Sequence, residues 1–490
     1  MGDTTVEKRR IVQELAAIVG REWVISDPVE LAVYECDGMT YLEKALPDVV
    51  VLPDGTEQVA EVVKLCDREQ LPFLPRGAGT GLSGGAIAVQ GGVIIGLNRM
   101  NRILEIDLAN QRAVVEPGLV NIAMTQAVVD RGYYFAPDPA SQSASSIGGN
   151  VAENAGGPHC LKYGTTTMHI LGLELVLASG EIVQVGGKAL DCPGYDLTGL
   201  FVGSEGTLGI ATKVTVRLLR QAEAVKTLLA SFRTIDAASE VVSEIIATGI
   251  IPSALEMMDR HIIKALEEWL QIGYPEGAGA VLLIELDGPT AEIEAHAKRI
   301  ERICAQHGVL DLGIAKDEQE RTLLWKGRKG AVAAVGRITH EFYLQDGVIP
   351  RTTLPQVLRD VEAISERNAL VIANVFHAGD GNLHPLICFD SRREGELQRA
   401  IAAGAEIMGL CLSVGGSITG EHGIGMEKID FVPLMYSPDD LEAMRRVRVA
   451  FDPSLRCNPG KLLPATRSCS ETNVAYRPHR VEREGLSQRY

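Results

Sequence analysis

Residues Pro75 to Gly85 restrict the possible folds of this chain most strongly, because they read Pro-Arg-Gly-Ala-Gly-Thr-Gly-Leu-Ser-Gly-Gly. Five of these eleven residues are glycine, which adopts positive φ readily and lets the backbone approach a ligand closely. Successive N–H groups in such a loop form a nest that binds an anion such as a diphosphate. Thr80 and Ser83 add hydroxyl donors, and Arg76 adds a positive charge. The stretch therefore predicts an anion-binding loop, with a glycine-rich surface turn as the alternative.

Two further glycine-rich segments follow downstream, Ser145–Gly157 and Phe201–Ile210. The first loop does not enter a helix as a Rossmann Gly-x-Gly-x-x-Gly loop does, because Ser83-Gly84-Gly85 leads to a predicted strand. It also lacks the Gly-Lys-Ser/Thr sequence of a nucleotide-hydrolase P-loop. Three glycine-rich loops separated by strands therefore predict one extended ligand that touches several loops.

The composition narrows the class of protein further. The 490 residues carry a net charge of −17, which argues against nucleic acid as a partner because nucleic-acid binding requires a basic face. The nine cysteines are scattered without a Cys-x-x-Cys pair, as is typical of free thiols in a reducing compartment, and this spacing excludes an iron–sulfur cluster of the usual kind. The sequence has no apolar run long enough for a membrane span and no apolar signal-peptide stretch in residues 1–10. We therefore expect a cytoplasmic protein.

Hydrophobic periodicity predicts strands that alternate with helices along most of the chain. The pattern changes near Gln221, after which longer helices alternate with apolar strands, so we predict a second α+β domain there. The predicted domains are an N-terminal helical segment at 1–45, a ligand-binding domain at 46–220, a substrate domain at 221–425, a C-terminal segment at 426–465 that packs back on the first domain, and a loosely ordered tail at 466–490. Within the first domain, residues 145–157 show little periodicity and are predicted to be irregular.

Seven motifs in this chain occur together in one protein family. They are Pro75–Gly85, Pro137–Pro139, Ser146–Gly157, Glu205–Ile210, His377–His384, Gly420–Gly423 and Asn458–Lys461. The first four resemble the FAD-binding domain of the vanillyl-alcohol oxidase (PCMH-type) flavoproteins. The last three resemble the C-terminal half of the D-2-hydroxyacid dehydrogenase branch of that family. The resemblance runs from about Tyr34 to Pro464 and, within the branch, is to the FAD-binding subunits of bacterial glycolate oxidases.

This resemblance implies an α+β fold with a PCMH-type FAD-binding domain of two α+β subdomains, a second α+β cap domain that binds substrate, and a C-terminal helical segment. The implied cofactor is FAD. The residues implied in FAD binding are Arg76, Gly77, Ala78, Gly79, Thr80, Gly81, Ser83, Gly84, Pro137, Asp138, Ser141, Gly148, Gly149, Asn150, Asn154, Gly156, Gly157, Glu205, Gly206, Ile210 and Asn458. Members with covalently linked flavin carry a histidine in the first loop where this chain has Thr80, so we expect non-covalent FAD. His159 lies near the second loop, and a structural role is favoured for it over a flavin linkage.

Two histidines, His377 and His384, bracket a predicted tight turn at Gly379–Gly381. Such a turn between two strands can fold the imidazoles toward each other, and Glu421 in a later glycine-flanked loop can add a carboxylate. Two imidazoles and one carboxylate form a three-ligand set typical of a catalytic divalent metal. Together with the family resemblance they predict a metal site, with zinc, or else manganese or iron, as the ion. The alternative is that each histidine is buried and hydrogen-bonded without a metal.

The resemblance implies that the substrate is a 2-hydroxy acid. A divalent metal lowers the pKa of a bound hydroxyl, and His422, next to Glu421, is the predicted general base. The α-hydrogen then leaves as hydride to the flavin. Arg328 matches the family's arginine for the substrate carboxylate, with a solvated helix charge as the alternative, and Asn382 is a second candidate contact. Related D-2-hydroxyglutarate enzymes have a lysine on the strand that corresponds to Tyr343–Asp346, which has no basic residue here, so we expect a small acid such as glycolate or D-lactate.

The reduced flavin needs an electron acceptor, and the sequence contains neither an iron–sulfur motif nor a nicotinamide fingerprint. The resemblance implies a complex with a second FAD-domain subunit and an iron–sulfur subunit that passes electrons to quinone. These partners would hold the chain peripherally at the inner face of a membrane. Two other functions stay open at this point: a self-sufficient FAD-dependent D-lactate dehydrogenase, and a non-catalytic flavin-binding subunit.

Overall fold

The computed structural model describes residues 2–39, 44–189 and 193–464, and the tail predicted at 466–490 lies outside them. The chain forms two compact units. The first contains the chain up to Gly156, Thr165–Gln221 and the segment that starts at Glu421, and the second contains Gly157–Gly164 and Ala222–Gly420. The substrate domain predicted at 221–425 thus shares most of its length with the second unit. Residues 421–425 belong to the first unit instead, and residues 157–164 join the second.

The first unit begins with a four-stranded sheet of β1 (Val24–Ile25), β2 (Val49–Val51), β3 (Phe73–Arg76) and β4 (Val93–Gly96). The order is β1-β2-β4-β3, with β4 parallel to both of its neighbours. The accompanying helices are α1 (Gly2–Val19), α2 (Pro28–Leu31) and α3 (Thr56–Arg68). In α3, Val59, Val62, Val63 and Cys66 recur at helical spacing and are fully buried in the same core as β2 and β3. The first glycine-rich loop begins where parallel strand β3 ends, which is the edge where sheets of this kind bind ligands.

A five-stranded antiparallel sheet forms the second part of the first unit. Its strands are β5 (Ile103–Asp107), β6 (Arg112–Val115), β8 (Ile170–Val176), β9 (Ile182–Gly186) and β10 (Ile210–Arg217), and a separate pair is β7 (Tyr133–Tyr134) with β11 (Leu219–Arg220). The order is β5-β6-β10-β8-β9. Every second residue of β10, including Ile210, Val214 and Val216, is buried, as a strand with one face on the core requires. The remaining helices of this unit are α4 (Asn121–Gln126), α5 (Ile147–Glu153), α7 (Leu197–Phe201), α14 (Val432–Met435) and α15 (Pro438–Phe451).

The second unit is built on one large antiparallel sheet. Its strands are β12 (Ala224–Phe232), β13 (Ala254–Asp259), β14 (Ala280–Gly288), β15 (Asp311–Ile314), β16 (Glu341–Leu344), β17 (Gly347–Val348), β18 (Ile372–His377), β19 (Asn382–Leu383) and β20 (Pro385–Phe389). The main order is β15-β12-β14-β13-β18-β19-β17, and β20 pairs with both β18 and β16. The helices are α6 (Cys160–Tyr163), α8 (Ile235–Ala247), α9 (Arg260–Leu270), α10 (Thr290–Gln306), α11 (Glu318–Ala334), α12 (Leu354–Asn368) and α13 (Glu396–Ser413). The predicted α+β class is confirmed, with two α+β subdomains in the first unit and a further α+β domain in the second.

One prediction of local structure is wrong. Residues 145–157 were expected to be irregular, but they contain α5, whose first turn is capped by Ser146 Oγ accepting from the N–H of Gly149. Asn154 ends the helix in the left-handed region with φ of 52°. Two glycines in the first turn lower the helix propensity and hid this helix in the sequence. Among the described residues, no helix combines the length and apolar character needed to cross a membrane.

Candidate active site

The three glycine-rich segments meet around a cleft in the first unit. Its lining is mostly backbone and apolar side chains, with a few hydroxyls: Pro75, Gly77, Leu97, Pro117, Ser146, Gly148, Gly149, Val151, Ala152, Leu173, Leu175, Phe201, Ser204, Gly206, Gly209 and Ala211. Ser146 also lines a second cavity that reaches Ala78 and Asn101. Two cavities that share a wall residue suit an elongated ligand with an apolar ring system and polar groups. Binding of the predicted extended ligand in this cleft stays a prediction.

Several predicted cofactor-binding residues hold the loops of the cleft in place. Arg76 donates to the carbonyl oxygen of Ala86 at 2.9 Å, which joins the two ends of the first loop, and to the carbonyl oxygen of Cys36 at 2.8 Å. Asn458 donates to Gly85 O at 2.9 Å and to Glu205 O at 2.7 Å. These bonds join the first and third glycine-rich loops to the C-terminal segment. Their contact with a cofactor stays a prediction.

Glu205 and Asn154 also have partners within the protein. The carboxylate of Glu205 accepts from the N–H groups of Ile424 and Gly425, both at 2.7 Å, and so fixes the loop that follows His422. Asn154 Oδ1 accepts from the N–H of Thr167 at 2.9 Å. Both side-chain roles are structural ones that the sequence did not reveal.

Three buried polar atoms beside these loops do have capacity for a ligand. Ser83 Oγ, Ser145 Oγ and Asn150 Nδ2 have no hydrogen-bond partner within residues 2–39, 44–189 and 193–464. All three residues are at least nine-tenths buried, where an unpaired polar group is costly. Ser83 and Asn150 were predicted to bind cofactor, whereas Ser145 was not.

A buried charge cluster lies in the same unit and was missed by sequence reasoning. Loss of solvation raises the pKa of Glu153 well above its usual range, and the nearby carboxylates of Glu205 and Asp37 add to this effect. Burial lowers the pKa of Lys461 to about 8. Lys461 donates to the carbonyl of Ile87 at 2.7 Å, so it also anchors the chain that follows the first loop. The cluster contains groups of both signs of charge, and burial disfavours the ionised form of each.

In the second unit, the structure brings His377 and His384 together. β18 ends at His377 and β19 begins at Asn382, so the turn between them reverses the chain, and the two imidazole centroids lie 5.1 Å apart, edge to face. Gly381 has φ of +83°, and a Cβ there would overlap the carbonyl oxygen of Ile349. Only glycine therefore allows this turn.

The partners of the two imidazoles orient their rings. His377 Nδ1 lies 2.8 and 2.9 Å from the two carboxylate oxygens of Glu256, and His384 Nδ1 lies 3.3 Å from the carbonyl oxygen of Gln345. An acceptor at Nδ1 favours the tautomer that carries hydrogen there, which leaves the lone pair on Nε2. Both rings thus have the electronic form of a metal-ligating imidazole, and the two residues fit a divalent metal.

Arg328, on α11, is 7% exposed, so the alternative of a solvated helix charge is wrong. Its Nε donates to Glu256 Oε2 at 2.6 Å. Burial of the carboxylate opposes its ionisation, but Arg328 and His377 outweigh this, and the pKa of Glu256 lies below its usual value. Within the described residues, Nη1 of Arg328 makes no hydrogen bond, so this nitrogen can donate to a substrate carboxylate.

Glu256 is the most important residue that sequence reasoning missed. It stands in β13, all six residues of which are buried, and it is 1% exposed. Asp259 ends the strand and caps α9, so Glu256 is the carboxylate in the interior of β13. A buried carboxylate among apolar strand residues is a signal for a functional or structural ion pair. That signal was present in the sequence Ala254-Leu-Glu-Met-Met-Asp259.

The two residues before Glu421 are hydrogen-bonded to Asp346 in the second unit. Asp346, fully buried, accepts from Thr419 Oγ1 at 2.6 Å and from the N–H of Gly420 at 3.0 Å. Glu421 is the next residue. In the first unit, His422 Nε2 lies 3.8 Å from Glu421 Oε1, and the two side chains are 13% and 14% exposed. Asn382 is 6% exposed, and its Oδ1 has no partner among the described residues.

His159 belongs to the second unit, in the segment 157–164. Its ring stacks on Trp325 with centroids 5.4 Å apart and planes 27° apart, and Nε2 lies 3.3 Å from Glu285 Oε1. Lys162 and Tyr163 in the same segment bond to Asp287. These contacts favour the structural role predicted for His159.

Comparisons with known proteins show which family this chain resembles. Residues 47–186 match the family description "FAD binding domain", and residues 221–462 match "FAD linked oxidases, C-terminal domain". The chain is 46% identical to the glycolate oxidase subunit GlcD of Escherichia coli (strain K12), over 97% of this chain and 95% of the relative. It is 34% identical to the D-lactate dehydrogenase of Anaerostipes hadrus, over 87% and 91% of the two chains. The crystal structure of p-cresol methylhydroxylase with substrate bound shares the fold, with a TM-score of 0.78, 18% identity, and coverage of 92% of this chain and 96% of the other.

Proposed function

This chain belongs to the family of FAD-linked oxidases, and we propose that it oxidises a small 2-hydroxy acid, glycolate or D-lactate, to the 2-oxo acid. The observation that carries the proposal is the buried group of Arg328, Glu256 and His377, which lies beside His384. This group places a cation that can bind a substrate carboxylate, Arg328, next to two imidazoles that can bind a metal. The relatives named for glycolate oxidation and D-lactate dehydrogenation support the same substrate class.

FAD binds, in this proposal, against the glycine-rich segments that line the cleft of the first unit. Bound FAD supplies the two-electron chemistry of the reaction. Backbone N–H groups of the loop after β3 would hold the pyrophosphate, and Ser83 and Asn150 would pair their buried polar atoms with the cofactor. No residue of the first loop offers a histidine for a covalent link.

Replacing Gly77 with alanine is expected to weaken FAD binding about tenfold or more, because the new Cβ would clash with Ser146 Oγ across the cleft. Gly187→Ala is the matched control, since a Cβ there meets nothing within 4 Å. The measurement is the dissociation constant of FAD, followed by flavin fluorescence during titration of the apoprotein. Equal FAD affinity in both variants would argue against a cofactor site at this loop.

The metal ligands we propose are His377, His384 and Glu421. A divalent ion there would supply Lewis-acid polarisation of the substrate hydroxyl. The fit of this chain to such an ion rests on the two buried imidazoles, each with Nδ1 facing an oxygen acceptor. Zinc, manganese and iron all accept two imidazoles and a carboxylate.

The remaining residues bind the substrate and move its proton. Arg328 donates from Nη1 to the substrate carboxylate, and Asn382 offers an amide to the same molecule. The imidazole of His422 accepts the hydroxyl proton, and the α-hydrogen leaves with its electron pair as hydride. The substrate loses one proton to His422 and one hydride, whose electron pair bound FAD would accept, so the hydroxyl-bearing carbon becomes a carbonyl carbon and the substrate keeps its carboxylate charge.

The electron acceptor lies outside this chain in our proposal. The name of the Escherichia coli relative describes a subunit, so we propose that this chain also acts in a complex, with a second FAD-domain subunit and an iron–sulfur subunit passing electrons to quinone at a membrane. A self-sufficient D-lactate dehydrogenase is the second candidate, favoured by the relative of that name. Activity of the isolated chain with a soluble dye acceptor, compared between the two substrates, distinguishes them.

The experiment that tests the function is an anaerobic visible spectrum of the purified, metal-loaded chain before and after substrate. We expect glycolate and D-lactate to bleach the flavin absorption within seconds and L-lactate to leave it unchanged, because one face of the substrate carbon must present its hydrogen to the cofactor. Chemical reduction with dithionite gives the reference for full bleaching. A flavin that dithionite bleaches but none of the three acids affects would contradict the proposed substrate class.

A further inference from the structure

We propose that Glu256 is a positioning residue that holds His377 and Arg328 together in their working orientations. This inference rests on the proposed function, because it assigns to Glu256 a role toward the metal and the substrate carboxylate. It adds a residue that lies 121 positions before His377 in the chain and that acts through His377 and Arg328.

The pairing of strands sets the contact with His377. β13 and β18 are antiparallel neighbours, and Glu256 lies directly opposite His377 in their register. Side chains of directly paired residues stand on the same face of the sheet, so the carboxylate meets the imidazole at Nδ1. At 2.8 and 2.9 Å, both carboxylate oxygens lie within hydrogen-bonding distance of Nδ1, so the tautomer with hydrogen on Nδ1 donates to this carboxylate. Rotation of the imidazole would break both contacts, so Nε2 keeps a fixed direction.

The same carboxylate fixes Arg328. Oε2 accepts from Nε at 2.6 Å and lies 2.6 Å from Nη2, so it holds one edge of the planar guanidinium. The opposite edge carries Nη1, the nitrogen that we assign to the substrate carboxylate. Because the fork is rigid, fixing one edge fixes the direction of the other.

The negative charge of Glu256 is needed in addition to its position. Arg328 is 7% exposed and His377 is 6% exposed, so an arginine cation here without an anion would lose hydration without compensation. One carboxylate balances one guanidinium and leaves the imidazole neutral, as metal ligation requires. Glu256, Arg328 and His377 are therefore held together before metal or substrate binds.

The test is Glu256→Gln, which keeps the shape of the side chain and removes its charge. We expect the dissociation constant for Zn²⁺ to rise about 10- to 100-fold when Zn²⁺ alone is titrated into metal-free, FAD-loaded protein against a chelating dye. With Zn²⁺ saturating, we expect KM for the hydroxy acid to rise about tenfold while kcat changes much less, since the defect then lies in substrate binding through Arg328. Glu256→Asp keeps the charge and should recover part of both losses.

Glu285→Gln is the matched control for loss of stability. Glu285 is also buried in this sheet, on β14, and accepts from Arg321 at 2.9 Å; Arg321 lies two helical turns before Arg328 on α11. We expect Glu285→Gln to lower the melting temperature without changing Zn²⁺ affinity or KM. The inference is overturned if Glu256→Gln binds Zn²⁺ within about twofold of the wild type, if both variants lose Zn²⁺ affinity equally, or if the wild type binds no Zn²⁺.

The Zn²⁺ titration tests the role of Glu256, and flavin bleaching by hydroxy acids tests the proposed substrate class, so the two proposals can be contradicted separately. If Glu256→Gln loses Zn²⁺ affinity and Glu285→Gln does not, but no hydroxy acid bleaches the wild-type flavin, the positioning of His377 stands and the proposed substrate class fails.

Discussion

Replacing His422 with alanine is expected to slow anaerobic flavin reduction by the hydroxy acid about 100-fold or more while FAD stays bound. The physical reason is that the hydroxyl proton then has no imidazole to accept it, and water in a mostly buried site is a poor base. The loop should keep its conformation, because Glu205 accepts hydrogen bonds from the backbone N–H groups of Ile424 and Gly425, and the substitution leaves these backbone groups in place. The measurement is the flavin absorbance in a stopped-flow instrument with substrate as the only reductant.

The control for His422→Ala is His340→Ala, which removes an exposed histidine in the second unit. Both variants should bind FAD and be bleached by dithionite like the wild type, and only His422→Ala should respond slowly to substrate. Fast reduction in His422→Ala would exclude His422 as the base and direct the search to another imidazole.

Much of the fold could be predicted because strong periodicity dominates many elements. The sequence pattern predicts a helix over Leu354–Asn368 and a strand over Glu341–Leu344, and α12 and β16 have these bounds. The missed elements are those in which another force replaces periodicity. α5 contains two glycines in its first turn, and β15 (Asp311–Ile314) has no buried residue and is held by pairing with β12.

The predicted family and the α+β fold with a PCMH-type FAD-binding domain are confirmed by the family match, the relatives and the structural comparison. They could be predicted because the motifs that carry the resemblance are long. The candidate site was predicted only in part. His377, His384 and Arg328 belong to motifs that can be recognised locally in the sequence. Glu256 acquires its role by pairing with His377 across 121 positions, and a single sequence gives no register for such a pairing.

The residues predicted to bind the cofactor also show what a single sequence cannot reveal. Glu205 and Arg76 were predicted to bind FAD from their place in the motifs, and the structure gives both of them backbone partners within the protein. A charged residue in a ligand-binding motif can thus shape the loop instead of contacting the ligand. Sequence identifies the motif, but only the hydrogen-bond partners separate these two roles.

Removing the divalent metal is expected to have an effect as large as the loss of His422. We expect a metal-free preparation, made with a chelator and then freed of it, to reduce its flavin with hydroxy acid about 100-fold more slowly or worse, since several kcal/mol of charge stabilisation would be lost. FAD should stay bound, because the residues that line the glycine-rich cleft do not include the three proposed metal ligands His377, His384 and Glu421. Adding Zn²⁺ or Mn²⁺ back should restore the rate, and the ion that restores it fully identifies the native metal.

His384→Ala shows whether the restored rate depends on the proposed ligand set. Its Nδ1 faces the carbonyl oxygen of Gln345, so the substitution removes one imidazole and leaves the partner of His377 in place. The variant should bind FAD and yet stay slow at metal concentrations that restore the wild type, because two remaining ligands hold a divalent ion weakly. If metal-free wild type reacted at full rate, the two imidazoles would be hydrogen-bonded residues without a metal, and deprotonation by His422 would act on an unactivated hydroxyl. That result would leave Arg328 and His422 as the minimal site and would return the paired histidines to the alternative role of buried, hydrogen-bonded side chains.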